Sequence, residues 1–220
     1  MSELFSIQLQ NRQHQGRDGV WLDLPTTTEQ VQAALRQIGI SSDNPQGLFI
    51  SGYFAEEEKR FAIPYNMVLA SNVDELNFLA ARLETLSAGE RAELNAALQA
   101  PQSELSSIGK ITDFPENVEY YVHLPDVRGP AQLGDYYLNR SGMVDMPEEW
   151  KGGIDTAQFG RYVAQQEQGV FTEYGYLVKR RGCVAESPRG PACAGGIPGT
   201  VLSCAGSFAR FGQHPAACSA

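Results

Sequence analysis

The amino-acid composition of this chain changes near residue 180, and the change limits the part that can fold. All four cysteines lie beyond it, at Cys183, Cys193, Cys204 and Cys218. Residues 182–220 are rich in Gly, Pro, Ala and Ser and hold few large apolar side chains. Because such a segment cannot offset its chain entropy by burying apolar surface, we expect a disordered tail and a folded part that ends near residue 181.

The spacing of the cysteines argues against a metal site. Nine, ten and thirteen residues separate them, whereas zinc sites use close pairs of thiolates. We therefore expect no metal and no cofactor. The first ten residues, MSELFSIQLQ, hold no basic segment followed by an apolar stretch. This pattern predicts a cytoplasmic protein without a signal peptide, in which a disulfide framework is not expected.

The charge of the chain divides at the same place. Residues 1–178 contain 25 acidic and 12 basic side chains, a net charge of −13, whereas residues 179–220 contain one acidic and five basic side chains. Phosphate binding needs clustered Lys and Arg, so the acidic body argues against direct binding of nucleic acid. No apolar run reaches the roughly 20 residues that a membrane helix needs. The hydrophobic share of 42% is sufficient for a globular core.

The first section, residues 1–62, is predicted to be a small α+β domain. Strands are predicted over residues 4–10, 20–24 and 47–54, from alternating or continuous apolar side chains. A capping box of Thr26 and Glu29 is predicted to open a helix between the second and third strands.

The second section, residues 63–110, is predicted to be helical. Ser71 with Asp74 is predicted to cap a helix whose apolar stripe is Val73, Leu76, Leu79, Leu83 and Leu86. Ser87 with Glu90 is predicted to cap a second helix, which ends at Pro101, and a short helix is predicted over residues 104–108.

The third section, residues 111–181, returns to mixed structure. The pattern predicts a strand over 118–124, a helix over 131–139, a helix over 156–166 capped by Asp155, and a strand over 170–179. The predicted fold class is therefore α+β. It comprises three small domains (mixed α/β over 1–62, helical over 63–110, mixed α/β over 111–181) and the tail over 182–220.

No catalytic motif stands out in the sequence. His14, His123 and His214 lack the i, i+4 spacing of a two-histidine metal site. There is no nucleophile elbow and no glycine-rich phosphate loop before a helix. We predict no enzyme and no catalytic residues, although a carboxylate site drawn from distant residues stays open. Of the neighbours Tyr120 and Tyr121, one is expected in the core and one exposed, where tyrosine is favoured at interfaces; the alternative is that both are ordinary core side chains.

Several segments, in order, resemble the ArdA family of antirestriction proteins. Gly19 to Pro25 (GVWLDLP) resembles the family's early G-x-W-x-D-L strand, and Leu48-Phe49-Ile50 its following strand. Met146 to Trp150 and Gly153 to Arg161 are similar to its P-E-x … Y-I-D-Y-E-A-Y-G-R-D segment, and Phe171 to Arg180 to its closing strand. The resemblance implies an elongated, homodimeric DNA mimic, carried by mobile elements to evade host defence. Such a protein occupies the DNA groove of type I restriction–modification enzymes, formed by their specificity and methyltransferase subunits.

The charge is of the right scale for this role. B-DNA carries one charge per about 1.7 Å of axis, so a dimer of bodies at −13 each matches roughly 13 base pairs of phosphates. Carboxylates would replace phosphates against the enzyme's Lys and Arg. The candidates for phosphate mimicry are Glu56, Glu57, Glu58, Glu84, Glu90, Glu93, Asp126, Asp135, Asp145, Glu148, Glu149 and Asp155. The alternative reading is an acidic protein–protein adaptor without DNA mimicry.

Overall fold

A computed structural model describes residues 3–13, 19–40, 47–101 and 103–180. The predicted tail, His14 and His214 lie outside the described residues. The strands are β1 Phe5–Asn11, β2 Val20–Leu24, β3 Leu48–Phe54, β4 Tyr121–Leu124, β5 Val170–Thr172 and β6 Gly175–Lys179. The helices are α1 Thr28–Gln37, α2 Tyr65–Leu69, α3 Val73–Glu84, α4 Ala88–Gln99, α5 Ile108–Thr112, α6 Pro130–Asp135, α7 Glu148–Lys151 and α8 Thr156–Glu167.

The described residues form two compact units, and the predicted division into three domains is not confirmed. The first unit contains residues up to 86 together with 106–115, and the second contains 87–105 together with 116–180. The predicted helical section 63–110 is thus shared between them. Both units mix helices with a small sheet, which confirms the α+β class.

The first unit is built on a three-stranded antiparallel sheet in the order β2-β1-β3. Alternate residues of β1 are buried, as its apolar alternation predicts. Helices α1 and α3 pack against β2, and α2 packs against β3. The predicted stripe of α3 is buried from Val73 to Leu86, so the core lies between the helices and one face of the sheet.

The second unit is built on an antiparallel sheet in the order β4-β6-β5. Helix α4 contacts β4 and β6, and α6 packs closely on α8. Its core cluster contains Val127, Leu133, Ala164 and Tyr176. Tyr121 is buried and Tyr120 is half-buried in a 3-10 turn, 5.1 Å away in an edge-to-face pair.

Two predicted helix caps are wrong by one residue, and a competing hydrogen bond explains each error. The Ser71 hydroxyl donates to the Met67 carbonyl at 2.7 Å, so Asn72 caps α3 instead. The backbone N–H of Thr26 donates to the buried Asn77 side chain at 2.7 Å, and Thr27 with Gln30 forms the capping box of α1. The predicted caps of α4 and α8 are confirmed.

Four other predicted elements are corrected. The short helix after α4 begins at Ile108 rather than near 104, because Ser107 is its cap. Residues Val118–Tyr120 form a 3-10 turn before β4, and α6 continues into a π-helix over Tyr136–Arg140. The strand predicted over 170–179 is the hairpin β5–β6. It turns because the Thr172 hydroxyl donates to the Gly175 carbonyl at 2.8 Å, and Gly175 adopts a φ of 131° that favours glycine.

Candidate partner-binding surface

The predicted carboxylates of the first unit lie where β3 and α3 end. Glu56 and Glu57 are exposed in the turn after β3, and Lys59 pairs with Glu56 at 3.1 Å. The same Lys59 donates to the Glu3 carbonyl at 3.2 Å. Glu84 is half-buried at the end of α3, and the side chain of Glu58 lies outside the described part. This turn therefore presents at least two carboxylates to solvent.

Glu90 begins α4 in a reciprocal capping box with Ser87. Its carboxylate accepts from the Ser87 N–H at 2.8 Å, while the Ser87 hydroxyl accepts from the Glu90 N–H at 3.3 Å. These hydrogen bonds to Ser87 lower the pKa of Glu90. These hydrogen bonds favour the charged carboxylate, but they also mean that it already accepts from a backbone N–H at the start of α4.

Glu93, one turn further along α4, is a poor stand-in for a phosphate. Burial, and secondarily the charge of Glu90, raise its pKa to about 7, against a smaller opposing effect of Arg180. One of its carboxylate oxygens is buried without a hydrogen-bond partner. A carboxyl group with this pKa is protonated in about half of the molecules at pH 7.

The remaining candidates lie between β4 and α8. Asp126 is exposed after β4, and Asp135 accepts from Asn139 at 2.8 Å and pairs with Arg140 at 3.2 Å. Asp155 caps α8 by accepting from the N–H groups of Ala157 and Gln158, at 2.9 and 3.0 Å. Asp135 and Asp155 therefore also have local structural roles.

Three exposed carboxylates lie in and just before α7. Asp145, Glu148 and Glu149 are all exposed within five residues of chain. Glu148 pairs with Lys151 at 2.6 Å, whose side chain is only 15% exposed. Trp150 stands beside them with 68% of its surface exposed. We call Asp145, Glu148 and Glu149 the α7 carboxylates.

The second unit also has a shallow cavity of about 430 Å³. It is lined by Gln99, Pro101, Arg128, Phe171, Thr172 and Glu173. Glu173 is its single carboxylate, and the side chain of Gln99 donates to it. A carboxylate-based active site needs converging acidic groups in a pocket, and this cavity does not supply them.

Neither a metal-ligand cluster nor a membrane-spanning helix occurs within the described residues. No group of three or more His, Cys, Asp or Glu side chains there could hold a metal ion. No described helix combines the length and the apolar character that crossing a bilayer requires.

The Nε2 atom of His123, in β4, lies 2.9 Å from the Tyr174 carbonyl oxygen.

A comparison with protein families identifies the chain. The family described as "Antirestriction protein (ArdA)" matches residues 15–178. The chain belongs to the ArdA antirestriction family. No curated protein matches the chain significantly. The match confirms the resemblance found in the sequence, and the family is one of antirestriction proteins rather than of known enzymes.

The ArdA-like glycine at the end of the segment Gly153 to Arg161 has a packing role. A Cβ atom on Gly160 would lie 1.8 Å from the Pro130 carbonyl oxygen, and one on Gly134 would lie 1.9 Å from the Thr156 carbonyl oxygen. The backbones of α6 and α8 therefore touch directly. The sequence gives no sign of this contact, because local pattern does not show which helix packs against which.

Sequence reasoning also missed a tyrosine–carboxylate cluster in this ArdA chain. The hydroxyls of Tyr137 and Tyr176 donate to the two oxygens of Glu167, at 2.5 and 3.0 Å. Burial first, and then Glu167, raise the pKa of both tyrosines above the usual value. The half-buried Glu167 carboxylate is thus engaged by two hydroxyls of its own unit. Because the three residues are distant in sequence, no local pattern predicts the cluster.

Proposed function

We propose that this chain inhibits a type I restriction–modification enzyme by occupying the DNA groove of its specificity and methyltransferase subunits. The observation that supports this best is the group of exposed α7 carboxylates in a chain of the antirestriction family. In this mechanism carboxylates replace phosphates against the enzyme's Lys and Arg, through charge-assisted hydrogen bonds. No covalent bond forms or breaks. The inhibitor acts as a homodimer in the cytoplasm, which doubles its charge.

The twelve predicted carboxylates contribute unequally to this proposal. The α7 carboxylates, with Asp126, Glu56 and Glu57, are exposed and form the main set. Glu90 and Asp155 already serve helix caps, and Asp135 pairs with Arg140 with only 42% of its side chain exposed, so we expect smaller contributions from them. Glu56 and Glu148 also pair with lysines but leave 66% and 83% of their side chains exposed. The half-buried Glu84 is expected to contribute less as well, and Glu58, whose side chain lies outside the described part, stays a candidate. Glu93 contributes least, because its raised pKa removes part of its charge.

The test is binding of the full chain to a purified type I methyltransferase complex, with and without cognate duplex, across a salt series. We expect binding that duplex and inhibitor exclude mutually and that salt weakens. Reversing Asp126, Asp145, Glu148 and Glu149 to lysine should abolish it, whereas neutralising any one of them should change Kd less than about threefold, because the charge is distributed.

A matched control distinguishes the effect of the α7 carboxylates on affinity from the effect of the net charge of the chain. Neutralising the α7 carboxylates raises the net charge by three, and so does changing the exposed Gln158, Gln165 and Gln166 of α8 to lysine. The first variant should lose much more affinity than the second. Equal losses would mean that only net charge matters. Tight binding that duplex leaves unchanged would instead favour an adaptor, and no binding to such complexes would refute the proposal.

A further inference from the structure

The outer face of the first unit's sheet carries exposed aromatic side chains. Strand pairing places Trp21 and Gly52 opposite Gln8, Phe54 opposite Ser6, and Phe49 opposite Gln10, all on the side away from the core. Trp21 is 50% and Phe54 59% exposed. We call Trp21, Phe49 and Phe54 the aromatic face.

The indole of Trp21 lies across the sheet rather than projecting into solvent. A Cβ atom on Gly52, in β3, would lie 3.1 Å from the far ring edge of Trp21 and 3.1 Å from the Gln8 Cβ. Because Trp21 belongs to β2, its ring spans the central strand β1 to reach Gly52. The glycine leaves room for the ring, which therefore presents a flat, half-exposed surface.

This face already holds one guanidinium group. The Arg12 guanidinium carbon lies 5.4 Å from the centre of the Phe49 ring, a cation–π distance. Carboxylates lie on the same side of β2 as Trp21 and follow Phe54 in the chain. Asp23 is exposed on the same side of β2 as Trp21, where it accepts from the Ser6 hydroxyl at 2.5 Å, and Glu56 and Glu57 follow Phe54.

The aromatic rings and carboxylates together favour some classes of binding partner for the aromatic face over others. A purely apolar partner would bury the Asp23 carboxylate, which accepts from Ser6, without supplying an opposite charge, and this is costly. A nucleic acid would bring phosphates against Asp23, Glu56 and Glu57. A second copy of the same face would bring the carboxylates of both copies together in an isologous contact, while the nearby cations, Arg12 and Lys59, are already engaged by Phe49 and Glu56. Arginine side chains satisfy both features, because guanidinium stacks on aromatic rings and pairs with carboxylates.

We propose that the aromatic face receives arginine side chains of the partner protein, which stack on Trp21 and Phe54 and pair with Asp23 and Glu57. The inference rests on the proposed function, which makes the partner a basic DNA-binding groove. Half-exposed aromatic rings supply roughly 100 Å² each, far below the roughly 1,000 Å² of a stable interface. The face is therefore an anchor within a larger contact.

The main test measures Kd for the type I methyltransferase complex across a salt series. The double variant Trp21→Ala/Phe54→Ala should bind about tenfold more weakly at every salt concentration. The slope of log K against log salt should stay unchanged, because no charge is lost. Phe54→Ala alone, at the end of β3, should weaken binding about threefold without the risk of disturbing the sheet. Tyr162→Ala is the control, because it removes an exposed ring that lies beside Arg161 and glutamines rather than beside carboxylates. It should bind with the same Kd as the parent chain.

Wild-type affinity in a folded double variant would overturn the inference while leaving duplex-competitive binding, and so the proposed function, intact. Loss of self-association in that variant, measured by sedimentation, would also overturn it, because the occupant would then be a second copy.

A second assay needs no enzyme. Trp21 and Trp150 are the two tryptophans of the chain, so Trp150→Phe leaves Trp21 as the single reporter. Its emission should respond to millimolar hexa-arginine more strongly than to hexa-lysine. An equal or absent response would overturn the inference even if no type I complex binds.

Discussion

The direct contact between α6 and α8 predicts that Gly160→Ala destabilises the second unit. The added Cβ would lie 1.8 Å from the Pro130 carbonyl oxygen and 2.8 Å from the Gly134 nitrogen. Both neighbours are backbone atoms, so no side chain can rotate away and the helices must separate by more than 1 Å to reach an ordinary contact. Overpacking of this kind costs about 1–3 kcal/mol or more, against a gain of about 1 kcal/mol in helix propensity. Because two backbone atoms lie this close, we take the upper end of that cost, about 3 kcal/mol, and expect a net loss of about 2 kcal/mol.

Gly89→Ala is the matched control for this substitution. Gly89 lies in α4 of the same unit, and nothing lies within 4 Å of the position its Cβ would take. The same chemical change should there stabilise the chain by about 0.5–1 kcal/mol. Urea unfolding followed by far-UV circular dichroism measures both variants, and amide hydrogen exchange of peptides from residues 130–167 assigns the loss to this unit. A Gly160→Ala variant as stable as Gly89→Ala would refute the reasoning.

Two other substitutions test the interior. The pKa of Glu93 is raised from 4.5 to about 7, so the folded chain binds more protons than the unfolded chain between these values and loses stability as pH rises through them. Glu93→Gln should therefore raise the free energy of unfolding, measured with urea, by about 1–2 kcal/mol at pH 8, a value reduced for solvent screening. At pH 5 the increase should be much smaller. Equal effects at both pH values would contradict this. Asn77→Ala should cost about 3 kcal/mol, because it leaves the buried N–H and carbonyl of Thr26 without the Asn77 side chain. Thr26→Ala keeps those groups and removes only the hydroxyl that donates to Gln30, so it should cost about 1 kcal/mol in the same thermal or urea assay.

Local pattern was sufficient for most elements of the fold. The alternation in β1, the stripe of α3 and the Ser87 and Asp155 caps involve residues within a few positions of one another, so the sequence alone predicts them. Errors at helix starts occurred where another hydrogen bond competes, locally at Ser71, which donates to Met67, and over a long distance at Thr26. Asn77 bonds to Thr26 across 51 residues of chain, and no local pattern reports such a contact.

The surface, like the fold, has features that the sequence alone determines and features that depend on tertiary contacts. The sequence by itself determined the acidic body and the ordered ArdA-like segments, because charge and residue order belong to the chain and do not depend on folding. Tertiary structure decided which groups are available. It buried Glu93 and raised its pKa, enclosed Glu167 between two tyrosines, and laid Trp21 across the sheet over Gly52. Each of these depends on desolvation or close approach by residues that only folding brings together.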